Sequence, residues 1–327
     1  MRDARLDNAK GVLIILVVLG HLLESVQGWG NETLRAFLTL IYVFHMPAFV
    51  FLAGMTAKQD RLGSRLGNLL ILLVMFQAFY VVPATVVKGQ YPIAMLQPYW
   101  MMWFVLSLMW WLAALPLIRR LKGALPVSIV LAVVAGLMPW DGYILSSGRT
   151  LVFLPFFIAG NLYGWQLLAR PPVKLAPRLL LSAVAVGAIA SIYLVGIGDE
   201  WLKGGSNFLS LVIDPLPGIT IRVLLLGAAA LASWAFMVWL PSSAGFLTVM
   251  GANSLAVFLL HGVFVKLCRP LMSMSLQLDP LLTLTVGSGL SVGVAWLLGR
   301  ERVDLAIRTL ATKIQSALTL GRGSRAA

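Results

Sequence analysis

Charge is what this sequence lacks. Only 11% of its 327 residues are Asp, Glu, Lys or Arg, and 60% are hydrophobic. A soluble domain carries about 25% charged residues. A surface this poor in charge cannot be wetted over most of its area, so the solvent of the folded chain is largely lipid. Acidic residues are the scarcer kind, 12 against 25 cations, which leaves a net charge of +13. In a lipid-solvated chain such an excess reflects the Lys and Arg of cytoplasmic loops rather than a nucleic-acid surface. The single cysteine, Cys268, excludes an internal disulfide and any multi-cysteine metal site. The three histidines, His21, His45 and His261, fall in separate segments. No His-x-x-x-His pair exists, and no metal site is expected. No Gly-rich phosphate loop is present, which disfavours a nucleotide-driven pump.

What is abundant is apolar runs of about 20 residues, the length that crosses a bilayer as a helix. They are placed near 10–27, 36–57, 67–87, 99–118, 124–140, 150–168, 179–197, 218–240, 252–268 and 280–298, with "IDPLPGITIR" ahead of the eighth as an outer loop or a re-entrant segment. The expected fold is therefore all-α, a polytopic integral membrane bundle of about ten transmembrane helices. No small-residue cleavage site follows the first run, so it reads as a retained helix rather than a signal peptide. With the N-terminus inside, the inner segments hold Arg2, Arg5, Lys10, Lys58, Arg61, Arg65, Arg119, Arg120, Lys122, Arg170, Lys174 and Arg178, and the C-terminal segment from Arg300 onward adds six more. Arg35, Lys88, Arg149, Lys203, Arg222, Lys266 and Arg269 fall outside or in the membrane. The positive-inside rule then puts both termini in the cytoplasm. One transmembrane domain over 1–315 and a disordered cytoplasmic tail over 316–327 are expected.

Polar groups at membrane depth are costly, so each is a candidate for function. His21, His45 and His261 are all expected at mid-depth or slightly toward the outer face. Glu24 follows His21 at i+3, on the same helix face. A carboxylate there fixes the tautomer of the imidazole and supports its protonated form, as a general base requires. The inner end of the same helix carries Arg5, Asp7, Asn8 and Lys10, and Arg61 and Arg65 lie beyond the inner end of the next. Such cations suit a ligand with several phosphates, although they also anchor ordinary cytoplasmic loops. Lys10 and His21 stand about 16 Å apart along a helix. Coenzyme A has a matching shape, a phosphorylated head and a long arm ending in a thioester.

These segments resemble a known family. "RLDNAKGVLIILVVLGH" is similar to the first helix of the acyltransferase-3 membrane O-acyltransferases, in particular the fucose 4-O-acetylase-like branch. That family's motif is a basic residue, ten residues, then histidine, met here by Lys10 and His21. "FHMPAFVFLAGMTAK" resembles the second-helix stretch, with Ala53 where the family usually has Ser. "WFVLSLMWW", "PFFIAGNLYG" and "GANSLAVFLLHG" resemble later segments in the expected order.

The resemblance implies an acyl group, most simply acetyl, moved from cytoplasmic acyl-CoA to a hydroxyl of a sugar, glycan or lipid-linked saccharide. The setting it implies is a bacterial inner membrane, in a minimal form with no appended periplasmic hydrolase-like domain. It implies that His21 is catalytic and that Lys10 helps to hold the donor, with Arg61 and Arg65 as further donor-side cations. Arg5 and Asp7 belong to the same expected binding cluster, and Glu24 orients His21. His45, Asn253 and Arg222 are candidate donors to an oxyanion, with His261 as a further intramembrane polar group. Direct transfer and a relay through an acylated His21 both remain open. The rival class is a secondary transporter or flippase of a glycan or lipid intermediate, with proton-relaying histidines. Orientation is directly testable. A fluorescent protein that matures only in the cytosol should glow when fused after Ala327, and an export-dependent phosphatase fused there should be silent. The reverse pattern would overturn the placement of the termini.

Overall fold

In a computed structural model of the chain, residues 3–88, 96–140, 142–170 and 173–323 are described, the side chains of 83–88 and 319–323 excepted. Arg2, Arg325 and the side chains of Lys88 and Arg322 thus lie outside the described residues. Thirteen α-helices are found among these residues: α1 Ala4–Ser25, α2 Glu32–Thr56, α3 Leu62–Lys88, α4 Trp103–Ile118, α5 Ala124–Val134, α6 Ser147–Leu168, α7 Leu175–Val195, α8 Asp199–Lys203, α9 Pro215–Met237, α10 Phe246–Ala252, α11 Ser254–Leu278, α12 Pro280–Leu298 and α13 Glu301–Gly323. Nine stretches are long and apolar enough to cross a membrane, and a shorter apolar helix covers Ala124–Leu137. Every expected span has its helix, so the protein is an all-α polytopic membrane bundle. The fifth span differs: α5 and the 3-10 turn after it stop short of a bilayer's thickness at 1.5 Å per residue. The eighth begins at Pro215, so the proline stretch starts the helix, where a missing N–H costs nothing. The last helix continues to Gly323 and so runs past residue 316, the expected start of a disordered tail.

The chain divides into two compact units. The first comprises Met1–Leu52, Gly164–Leu202 and Val223–Leu305. Its axis is α1, which has no exposed residue from end to end and packs against α10, α11 and α12. Asp3 caps its start, the carboxylate accepting from the N–H groups of Arg5 and Leu6. One turn later the buried Asn8 ties α1 to the segment before α10. Its Nδ2 donates to the carbonyls of Pro241 and Ser243, both at 2.9 Å, and its Oδ1 accepts from Thr248 Oγ1 at 2.7 Å. Two glycines let α1 and α10 approach closely. A Cβ on Gly251 would run into the carbonyl of Asp7, and one on Gly11 into that of Leu247. Without a hydrophobic driving force between helices in lipid, such close backbone packing is what holds them together.

The second unit comprises Ala53–Tyr163, Lys203–Arg222 and Ala306–Ala327. Asn161 of α6 donates from Nδ2 to the carbonyls of Gly54 and Ala57. Phe208, nearly fully buried, fills the space left by Gly136 and Gly218. Gln315 Nε2 donates to the carbonyl of Ser64, which seats the end of α13 on the start of α3.

Because Gly251 faces backbone rather than a movable side chain, Gly251→Ala should destabilise the protein by about 1–3 kcal/mol, the usual cost of overpacking. Gly187 has nothing near its absent side chain, so Gly187→Ala should be neutral or mildly stabilising. Thermal unfolding in detergent compares the two directly.

Candidate active site

The first unit gathers the three histidines. Lys10 and His21 are eleven residues apart, close to three full turns, so both point from one stripe of α1. Asp7 and Glu24 extend that stripe at either end. His21 lies one turn before the C-terminal end of α1, in the half away from Lys10. Its Nδ1 is 3.1 Å from Glu24 Oε2. The other carboxylate oxygen, Oε1, accepts from Trp29 Nε1 at 3.0 Å. An ionised carboxylate only accepts, so Nδ1 is the protonated nitrogen of a neutral His21 and the basic lone pair sits on Nε2.

His261 of α11 stacks on His21, ring centroids 5.4 Å apart and planes inclined by 22°. His45 belongs to α2, and Tyr42, one turn earlier, lies edge-on to it at 4.8 Å. Tyr42 also meets Trp29 edge-on at 5.2 Å. Both further histidines turn Nδ1 back onto their own helices. His45 Nδ1 donates to the Ile41 carbonyl at 2.8 Å, and His261 Nδ1 faces the carbonyls of Val257 and Phe258 at 3.0 and 2.8 Å. Pro47 follows within the same turn as His45 and supplies no N–H to the Val43 carbonyl, an irregularity in α2 at the height of the cluster. All three neutral imidazoles thus hold the proton on Nδ1. Access separates them: His45 and His261 are buried at 5% and 0% exposure, whereas the side chain of His21 is 18% exposed. His21 is the most exposed of the three histidines. Among the described residues, no group of three His, Cys, Asp or Glu side chains is placed to hold a metal ion.

The other expected site residues fall elsewhere. Lys10 Nζ lies 3.9 Å from Asp7 Oδ1, and Asp7 is buried. An anion repels phosphate, so Asp7 can serve a donor site only by holding Lys10. Arg5 is half-buried in the first turn of α1. Arg61 and Arg65 lie in the second unit. Arg61 is exposed, with a left-handed φ of 51°. Arg65 donates from Nη1 to the Lys58 carbonyl at 3.1 Å and stands 3.8 Å from Asp60.

Two expected oxyanion donors bond to backbone carbonyls. Asn253 Nδ2 donates to the carbonyls of Val249 and Gly299, at 3.1 and 2.9 Å, across the join of α10 and α11. Its N–H groups are spent on backbone. Arg222 lies in the second unit, where Nη2 donates to the Ser206 carbonyl at 3.3 Å and the guanidinium stands 5.7 Å over the Phe208 ring. It braces the 206–208 loop. Trp29 and Tyr42, by contrast, were not singled out as site residues. Tyr42 shares the face of His45 at i−3, a spacing visible in the sequence. Trp29 sits in the breaker cluster "GWGNET", and nothing in the spacing shows a loop folding back onto Glu24.

The site is thus an imidazole in contact with a carboxylate, set in an apolar helix bundle of a polytopic membrane protein. Residues 3–300 match the acyltransferase-3 family, described as an acyltransferase domain. The chain therefore belongs to that family and is a membrane acyltransferase. It is 29% identical over 255 residues to the nodulation protein NolL of Sinorhizobium fredii (strain NBRC 101917 / NGR234), covering 71% of this chain and 67% of that protein. A nodulation protein NolL of Mesorhizobium japonicum (strain LMG 29417 / CECT 9101 / MAFF 303099) is 46% identical over 55 residues, 16% of this chain and 15% of that protein. No solved structure matches.

The burial of Asn253 among carbonyls has a measurable consequence. Asn253→Ala leaves the Gly299 carbonyl without its donor, which should cost about 1–3 kcal/mol of stability. The turnover of the folded fraction should stay near that of the parent. A large fall in turnover at unchanged stability would instead place Asn253 in the chemistry.

Proposed function

We propose that the protein transfers an acyl group, most simply acetyl, from cytoplasmic acyl-CoA to a hydroxyl of a sugar, glycan or lipid-linked saccharide. The observation that carries this reading is the contact of His21 Nδ1 with Glu24 on the most accessible of the three histidines. Family membership supports the reaction class. The acyl-CoA donor and the carbohydrate acceptor rest on the chemistry of the residues and on the resemblance of the first two helices.

In the proposed reaction His21 Nε2 takes the proton of the acceptor hydroxyl as its oxygen attacks the thioester carbonyl. The new C–O bond forms and the carbonyl electrons move to oxygen. Collapse of that tetrahedral species breaks the C–S bond, and the proton on Nε2 passes to the leaving sulfur. The products are an ester and free CoA. Glu24 stabilises the imidazolium formed on the way, as an orienting carboxylate does in serine hydrolases. Arg5 and Lys10, near the other end of α1, would hold the donor's phosphates, with Asp7 steadying Lys10. A pantetheine arm would then cover the roughly 16 Å to His21. Arg61 and Arg65 are proposed as further donor-side cations. The curated relatives are named for nodulation, a biological setting rather than a substrate.

A proton-relay transporter is the less supported reading. A relay passes protons through both nitrogens of each imidazole, whereas His45 and His261 each commit Nδ1 to carbonyls of their own helix.

His21→Ala should lower acyl transfer by about 10²–10⁴-fold, the usual worth of a general base, with folding retained. Glu24→Gln keeps the shape, loses the charge and should lower kcat with little change in KM for the donor. Radiolabelled acetyl-CoA and purified protein supply the assay. Undiminished turnover by His21→Ala would sink this reading.

A further inference from the structure

We infer that Trp29 is a positioning residue of the active site, holding Glu24 by one oxygen so that the other is aimed at His21. This rests on the reading of His21 as general base. A carboxylate on a helix surface has free rotation about its terminal bond, which is broad and roughly two-fold. Glu24 therefore needs a second contact to present one oxygen steadily to an imidazole, and the indole N–H, a donor that cannot accept, supplies it at 3.0 Å.

The local backbone is shaped for that contact. Gln27 takes a left-handed conformation, φ 57°. Its N–H donates to the Glu24 carbonyl at 3.1 Å, and the Gly30 N–H donates to the Gln27 carbonyl at 2.9 Å. A Cβ on Gly28 would come within 2.6 Å of the Leu23 carbonyl, so the chain folds back onto α1 at a position only glycine can fill. A non-glycine residue held in the left-handed region costs energy and persists only where its surroundings demand it. Here the result of the strained turn is to return Trp29 to Glu24, five residues back.

The indole is held in turn. Its ring meets Tyr42 edge-on, and Tyr42 lies against Gly20, where a Cβ would come within 3.0 Å of the tyrosine ring. Tyr42 also meets His45. The residue before His21 is thus kept small by the aromatic pair that fixes its carboxylate. Of the helices packed on α1, α10 and α12 carry no ionisable residue.

The test uses the full chain in detergent or proteoliposomes, with radiolabelled acetyl-CoA and its transfer or hydrolysis read as released CoA thiol. Trp29→Phe keeps an aromatic ring beside Tyr42 and removes the N–H with part of the indole's volume. It should lower kcat by about tenfold, in keeping with a lost hydrogen bond to a charged group, at unchanged KM for acetyl-CoA. In a Glu24→Gln background the same substitution should cause little further loss, since the group it positions has gone. A merely structural tryptophan would lower activity equally in both backgrounds, and that additivity would overturn the proposal. With only three histidines in the chain, nitrogen NMR of isotope-labelled histidine gives a readout independent of turnover. The His21 signal, identified by its loss in His21→Ala, should show the Nδ1–H tautomer in the parent and a mixture in Trp29→Phe. An unchanged His21 signal would overturn the proposal even if activity fell. Full kcat in Trp29→Phe beside a dead His21→Ala would refute the role of Trp29 alone, whereas an active His21→Ala would refute the general-base reading beneath it.

Discussion

The carboxylate of Glu24 is the interaction on which the site depends. It is a charge placed among apolar helices, where an unpaired anion would be costly. Two N–H donors on its two oxygens, the imidazole of His21 and the indole of Trp29, are what make it tolerable there. The same pair of contacts leaves His21 with its basic nitrogen turned away from the carboxylate. Stability and reactivity therefore share one cause. Exchange the carboxylate for an apolar group and the cost of burial vanishes, but so does the anion that the proposed reaction uses beside His21.

That arrangement needs a rigid frame, and α1 provides it. A helix with no exposed face is fixed by its neighbours all round. Asp7, Lys10, His21 and Glu24 lie along one stripe, while Asn8, on the opposite side, and the apolar residues serve packing. The close crossing at Gly11 and Gly251 and the threefold hydrogen bonding of Asn8 set the position of the Lys10 end. Because 11 residues fall so near three full turns, fixing that end also fixes the direction in which His21 points.

Most of the architecture was legible in the sequence because lipid imposes a long apolar period that nothing else produces. Nine of the ten apolar runs correspond to helices long enough to span, and Lys10, His21 and Glu24 were visible as a helical spacing. The short α5 was not, since an apolar run shows composition and not the length over which the backbone stays helical. Asn253 and Arg222 are hard to read in the sequence for a related reason. A polar residue at depth announces that it must be satisfied, but the sequence does not say whether a carbonyl of its own unit satisfies it. For Asn253 two carbonyls do, and Arg222 gives one of its N–H groups to the Ser206 carbonyl. Trp29 escaped notice because its role arises from a left-handed turn at Gln27, and a turn composed of Gly, Trp and Asn reads as an interruption between helices.

The histidines show how three identical side chains acquire different roles. Each gives its Nδ1 proton to an acceptor, but the acceptors differ in kind. For His45 and His261 the acceptor is a backbone carbonyl, a neutral dipole that orients the ring and offers little to a positive charge. For His21 it is a carboxylate, which rewards the ring for becoming positive. The two buried rings are thus suited to remain neutral, His261 stacked on His21 and His45 across the tyrosine edge. Neutral neighbours matter here: two adjacent imidazoles cannot both accept a proton without repulsion in a medium of low dielectric. The carboxylate lies beside one of the three rings, and that ring is also the most exposed of them, which is why the proposed reaction is assigned to His21.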